Sequence, residues 1–139
     1  MARRLLAGVA AAAALGAFGR AAAGQPSILR SASVVGGHVV IVVSVGDLRP
    51  AELIVSSRAA VNADGALLAK NVGLRETIQL PPTESAVARW QSPKALAAGV
   101  YFVQVMAVET GGVTDCPRFL RNCNERWSDV RRVVVRPSS

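Results

Sequence analysis

The stretch His38-Val39-Val40-Ile41-Val42-Val43-Ser44-Val45 constrains the fold of this 139-residue chain more than any other. Six of its eight positions are Val or Ile. These side chains are stiff at χ1 and favour a pleated, packed surface. Gly36-Gly37 precedes the run and Gly46-Asp47 ends it, so it is too short for a helix of ordinary length. It reads as a strand covered on both faces, or as a core strand of a sandwich. Because it does not alternate, the run leaves open whether Val40 and Val42 or their neighbours point inward.

From Gln25 onward the chain repeats this texture, with short apolar runs separated by turn residues. Strands are expected over Ser27–Val35, Ala51–Ser57 after Pro50, Arg75–Leu80 before Pro81-Pro82, Ala86–Gln91, Val100–Glu109 and Ser128–Arg136. Val61–Lys70 is ambiguous, since its alanines and leucines also suit one or two helical turns. In Val100–Glu109, Tyr101, Val103, Val105 and Ala107 fall on one face. In the last strand Val130 has the opposite parity to Val133 and Val135, and a β-bulge at Arg131-Arg132 would restore alternation. About seven strands in a chain of this size predict an all-β fold, a two-sheet antiparallel β-sandwich.

The first residues are of another kind. Met1-Ala-Arg-Arg-Leu5 gives a positive start, Leu5–Phe18 is an uncharged apolar run, and Ala21-Ala22-Ala23 supplies small residues for cleavage. That order is a secretory signal peptide over 1–23, with a mature domain over 24–139. The apolar run falls short of the roughly 20 residues a spanning helix needs, so no transmembrane segment is expected after cleavage. Export to the extracellular space is the expected localisation, and the Ala-, Arg- and Val-rich composition suggests a bacterial cell. The leader also biases the charge. The whole chain has 16 Lys and Arg against 9 Asp and Glu, and without Arg3, Arg4 and Arg20 the excess falls from +7 to +4. With 4% aromatic residues as well, the chain lacks the basic, aromatic-interleaved surface of a nucleic-acid binder.

Leu96-Ala97-Ala98-Gly99-Val100-Tyr101-Phe102-Val103-Gln104-Val105-Met106-Ala107 resembles the sixth strand of a fibronectin type III domain, where Leu and a Gly-containing turn precede Tyr-x-Val-x-Val-x-Ala. Trp127-Ser128-Asp129-Val130 is similar to the start of that family's last strand. The resemblance implies an immunoglobulin-like sandwich in which Tyr101 bonds back to the preceding turn as a tyrosine corner. It departs from the family in two ways. The Leu96-to-Tyr101 spacing is one residue short, and the second strand lacks the usual buried Trp, whose volume Trp90 could fill from a neighbouring strand. For function it implies a scaffold or adhesion module without catalytic residues, and fold alone does not fix function.

Few residues could carry chemistry. Cys116 and Cys123 are the only cysteines, and in an exported chain an even count reads as one disulfide. Its closed loop of eight residues, 116 to 123, would contribute on the order of 2.5 kcal/mol in the chain-entropy model. His38 is the only histidine, so no metal set is expected, and no cofactor either. The nine acids are scattered singly, which gives no glycosidase-type carboxylate pair. Leu80-Pro81-Pro82-Thr83-Glu84 is similar to a sortase signal but has Glu for Gly and lies mid-chain, so it reads as a bend.

The segment Asp115–Arg136 concentrates Arg118, Arg121, Arg126, Arg131, Arg132 and Arg136 around Phe119 and Trp127. Guanidinium groups beside aromatic rings suit planar or anionic ligands. The competing reading is that Arg126 and Arg131 stack on Trp127 or pair with Glu125 and Asp129 and only dress a solvated face. The expected binding surface is therefore Arg118, Phe119, Arg121, Arg126 and Trp127, on a loop held by a rigid sandwich. Its expected partner is a protein or an anionic cell-envelope polymer. A secreted, non-enzymatic binding or structural module is the leading expectation. The alternatives are an inhibitor or accessory subunit of an extracellular enzyme, acting through the closed loop, and a carbohydrate-binding module with Trp90 and Trp127 as its platform.

Overall fold

A computed structural model describes residues 28–109 and 124–138. The leader over 1–23 therefore lies outside the described residues, as do Cys116, Arg118, Phe119, Arg121 and Cys123. Eight strands run in chain order: β1 (Leu29–Val35), β2 (His38–Ser44), β3 (Leu48–Ser56), β4 (Val72–Thr77), β5 (Val87–Ala95), β6 (Gly99–Glu109), β7 (Glu125–Trp127) and β8 (Arg131–Val135). All pairings are antiparallel. One sheet has the order β1-β2-β5, and the other has β4-β3-β6 with both β7 and β8 pairing β6. The fold is all-β, with two antiparallel sheets around a shared core.

β1 and β2 form a hairpin through Gly36 and Gly37, whose φ values of 57° and 84° are the left-handed geometry that two-residue hairpins demand. The turn is also tight against its surroundings, because a Cβ on Gly37 would stand 3.1 Å from the Leu96 carbonyl oxygen. The chain then changes sheet between β2 and β3, between β4 and β5, and between β5 and β6, which interleaves the two layers.

Burial resolves the phase of the uniform run. Val39, Ile41 and Val43 enter the core, together with Leu53, Val55, Val103, Val105 and Ala107 of the other sheet. Val40 and Val42 share the opposite face of β2 with Ser31, Arg89 and Gln91, their paired residues. The neighbours of Val40 and Val42 therefore supply the inward face. Trp90 pairs with Ile41 and packs against the core from β5, the position from which it fills volume that β2 leaves. Tyr101 also packs against the core, and its hydroxyl donates to the Ala97 carbonyl at 2.7 Å, back across the β5–β6 turn. Tyr101→Phe is expected to lower stability by about 1 kcal/mol, measured by denaturant titration; a variant as stable as the parent would show that the bond contributes nothing.

Several sequence expectations need correction. β3 starts at Leu48 and runs through Pro50, because β4 pairs it only from Glu52 and the β6 register shifts between Pro50 and Glu52; there the missing N–H costs no ladder bond. β5 runs past Gln91 to Ala95 despite Pro93, since it is an edge strand with a register irregularity. β4 is Val72–Thr77, earlier than expected, and Ile78 and Leu80 pack against the core on the way to the other sheet. Val61–Lys70 forms no α-helix; it holds an isolated Val61–Leu67 bridge, and a single 3₁₀ turn follows at Ala69–Asn71.

The closing strand is not one strand with a bulge at Arg131-Arg132. Those two residues pair regularly with Val103 and Phe102, and the irregularity sits at Ser128–Val130, between β7 and β8. There the Ser128 hydroxyl accepts from the Val105 N–H at 2.9 Å while the Ser128 N–H donates to the Val105 carbonyl at 2.9 Å. From the Trp127–Met106 pair to the Arg131–Val103 pair this side advances four residues against three on β6, so one extra residue changes the parity of the valines as a bulge would, at Ser128–Val130 instead of Arg131-Arg132.

Candidate functional site

Paired residues in a sheet share a face, so the register places the side chains around the two described residues that flank 110–123. Trp127 pairs with Met106, and Met106 with Glu52; Glu125 pairs with Val108, and Val108 with Arg49. Val105 and Ala107 point into the core, so these two rows lie on the outer face of the larger sheet. Trp127, Met106 and Val108 are each half-buried there. The Glu109 N–H donates to the Asn124 carbonyl at 3.0 Å, so the two described residues that flank 110–123 meet beside this face.

Arg126 and Arg131 are engaged in structure. Arg126 pairs with Glu109 at 2.6 Å and donates to the Glu125 carbonyl at 2.9 Å. Arg131 pairs with Asp129 at 3.0 Å and donates to the Leu29 carbonyl at 2.8 Å and the Arg30 carbonyl at 3.4 Å. Those carbonyls are on the edge strand of the smaller sheet, so Arg131 ties the edges of the two sheets together. The Asp129–Arg131 pair is as expected, and Arg126 has Glu109 as an ion-pair partner that the sequence reading did not name. Trp127 and Arg126 thus stand on adjacent positions of β7, but the ion pair holds Arg126 toward Glu109.

Glu125 titrates above the ordinary carboxylate range, first through desolvation and then through the nearby charge of Glu52, with Arg75 opposing both. Arg75 is itself paired with Glu52 at 2.7 Å. A raised folded-state pKa means the native state holds this proton more tightly than the unfolded chain. The associated stability is present below the ordinary carboxylate pKa of about 4.3 and is lost as pH rises through the raised value. Glu125→Gln is therefore expected to raise the melting temperature at pH 7 and to have no effect near pH 3; a lower melting temperature at pH 7 would reverse the sign.

A second group of residues escaped the sequence reading. Gln104 is fully buried on the outward side of β6. Its Nε2 donates to the Gly65 carbonyl at 2.7 Å and the Ser128 carbonyl at 2.8 Å, and its Oε1 accepts from the Leu67 N–H at 2.9 Å. One amide thereby joins the β3–β4 loop to the β7–β8 junction. Ala66, Leu67 and Ile54 are buried around this lock, outside the main core. Gly65, with φ 91°, permits the turn that presents its carbonyl.

At the other end of the sandwich a groove of about 520 Å³ is lined by Val34, Gly36, Gly37, Leu96, Val134 and Arg136, among others. Among the described residues Arg136 is its one ionisable lining residue. His38 Nδ1 is 2.9 Å from the Ser92 carbonyl, where only a protonated Nδ1 can bond, and that bond fixes the tautomer. Among the described residues no three His, Cys, Asp or Glu side chains are placed to hold a metal ion, and no helix is long and apolar enough to cross a membrane. Trp90 and Trp127 lie on different sheets and different faces, and do not form one platform. Comparison with protein families, with curated proteins and with solved structures finds no match to this chain.

Proposed function

We propose that the mature chain is a secreted, non-enzymatic binding module, a fibronectin type III-like sandwich that recognises its partner at the Trp127 end. Trp127 carries the reading: a large side chain half-exposed on the outer face of the larger sheet, beside Met106 and beside the two described residues that flank 110–123. Aromatic side chains with one wet and one packed side are the usual anchors of protein interfaces. Arg118, Phe119 and Arg121 would complete the surface, and a Cys116–Cys123 disulfide would pre-organise it and lower the entropy cost of docking. The fibronectin-like assignment is supported by the hydroxyl bond of Tyr101 to Ala97 and by the sixth place of its strand in the chain. An inhibitor or accessory subunit would use the same surface, whereas a two-Trp sugar platform has lost its geometric basis.

The test is a pull-down from the extracellular fraction with the mature chain as bait, at low and moderate salt. Alanine at Trp127, and separately at Arg118, Phe119 and Arg121 together, is expected to abolish recovery of the partner. Recovery undiminished by both folded variants would place the site elsewhere.

A further inference from the structure

The two sheets differ in charge in a way their sizes do not require. β1, β2 and β5 contain no Asp or Glu, and they carry Arg30, Arg89 and Lys94. The strands of the other sheet contain Glu52, Glu76, Glu109 and Glu125 against five arginines, and Glu52 and Glu109 are paired with Arg75 and Arg126. Positive charge on the smaller sheet is therefore left without a carboxylate of its own.

The outer face of that sheet is set by register. Ser31, Val42 and Arg89 form one row across the strands, Ser33, Val40 and Gln91 the next, and Ser44 stands opposite Val87. Arg30 lies at the β1 irregularity and reaches Ser44 Oγ at 3.4 Å. Val40 is 4% exposed although it points away from the core, whereas Val35 at 54% and Val87 at 37% stand open at the margins. The face carries the hydroxyls of Ser31, Ser33 and Ser44, with a guanidinium on each side of β2. The two flanking strands stand about 10 Å apart.

We propose that this face binds an anionic linear polysaccharide laid across the three strands. Arg30 and Arg89 would take its acidic groups, since a guanidinium matches a carboxylate with two parallel bonds. Ser31, Ser33, Ser44 and Gln91 offer the donors and acceptors that sugar hydroxyls need, and Val42 and Val87 are exposed enough to contact the ring faces. A bilayer would call for a cluster of large protruding apolar or aromatic side chains, and single-stranded nucleic acid for stacking rings; this face has no aromatic ring on it, and only Val35 and Val87 stand open, at its margins. The surface is separate from Trp127, which belongs to the other sheet.

The test titrates the full mature chain with polygalacturonate, with neutral dextran and with anionic phospholipid vesicles. Polygalacturonate is expected to bind, more weakly as salt rises, and dextran and vesicles are not. Arg30→Gln with Arg89→Gln is expected to weaken polygalacturonate binding at least tenfold, with the circular dichroism spectrum unchanged. The control double variant Arg58→Gln with Arg136→Gln removes the same charge elsewhere and is expected to leave binding within twofold. Equal losses in the two double variants, no loss in the first, or binding to vesicles alone would overturn the proposal. Trp127→Ala is expected to leave polygalacturonate binding intact, so failure here and failure of the Trp127 site are read separately.

Discussion

Gln104→Leu is expected to destabilise the domain by about 3–5 kcal/mol, the largest effect of any polar substitution among the described residues. Leucine is close to glutamine in shape, so little volume changes. What changes is that the Gly65 and Ser128 carbonyls and the Leu67 N–H each lose a partner inside the protein. Each unsatisfied buried group costs about 1–3 kcal/mol, and part of that is relieved if the β3–β4 loop lifts to admit water. Hydrogen exchange would separate the two outcomes. Loss of protection confined to residues 60–70 and the β7–β8 junction is expected, and a variant as stable as the parent would show that the amide lock carries no weight.

Ile41→Ala is expected to cost about 2–5 kcal/mol, against less than about 1 kcal/mol for Val42→Ala, its neighbour in sequence. Ile41 is fully buried between the sheets, opposite Ala32 and Trp90. Val42 lies on the outer face and is only half-buried. Denaturant midpoints of the two variants give the phase of β2 directly; equal losses would mean that the outer face is covered as well.

The contrast between those two residues shows where sequence reading reaches its end. The composition of β2 specified a strand, and the glycines specified its ends, but six β-branched residues in eight positions carry no alternation from which to read a face. β6 was legible in more detail because Tyr101, Val103, Val105 and Ala107 alternate with larger or polar residues. That same alternation concealed Gln104, which reads as a solvent-facing position until a loop distant in sequence folds over it. Proline misled at Pro50, since its exclusion from a ladder depends on whether a neighbouring strand needs that N–H. At the candidate site, the density of arginines was visible, but the pairing of Arg126 with Glu109 depends on two strands being adjacent, which no local pattern encodes.

Recognition at the Trp127 end is tested most directly by placing a photo-crosslinking residue at position 127 and, as a control, at exposed Ala98 beside the groove at the opposite end. Each variant would be irradiated in the native extracellular fraction. A discrete, salt-sensitive adduct from position 127 and none from position 98 is the expected result. An adduct from position 98 alone would contradict the assignment and move recognition to the groove between β1 and β8.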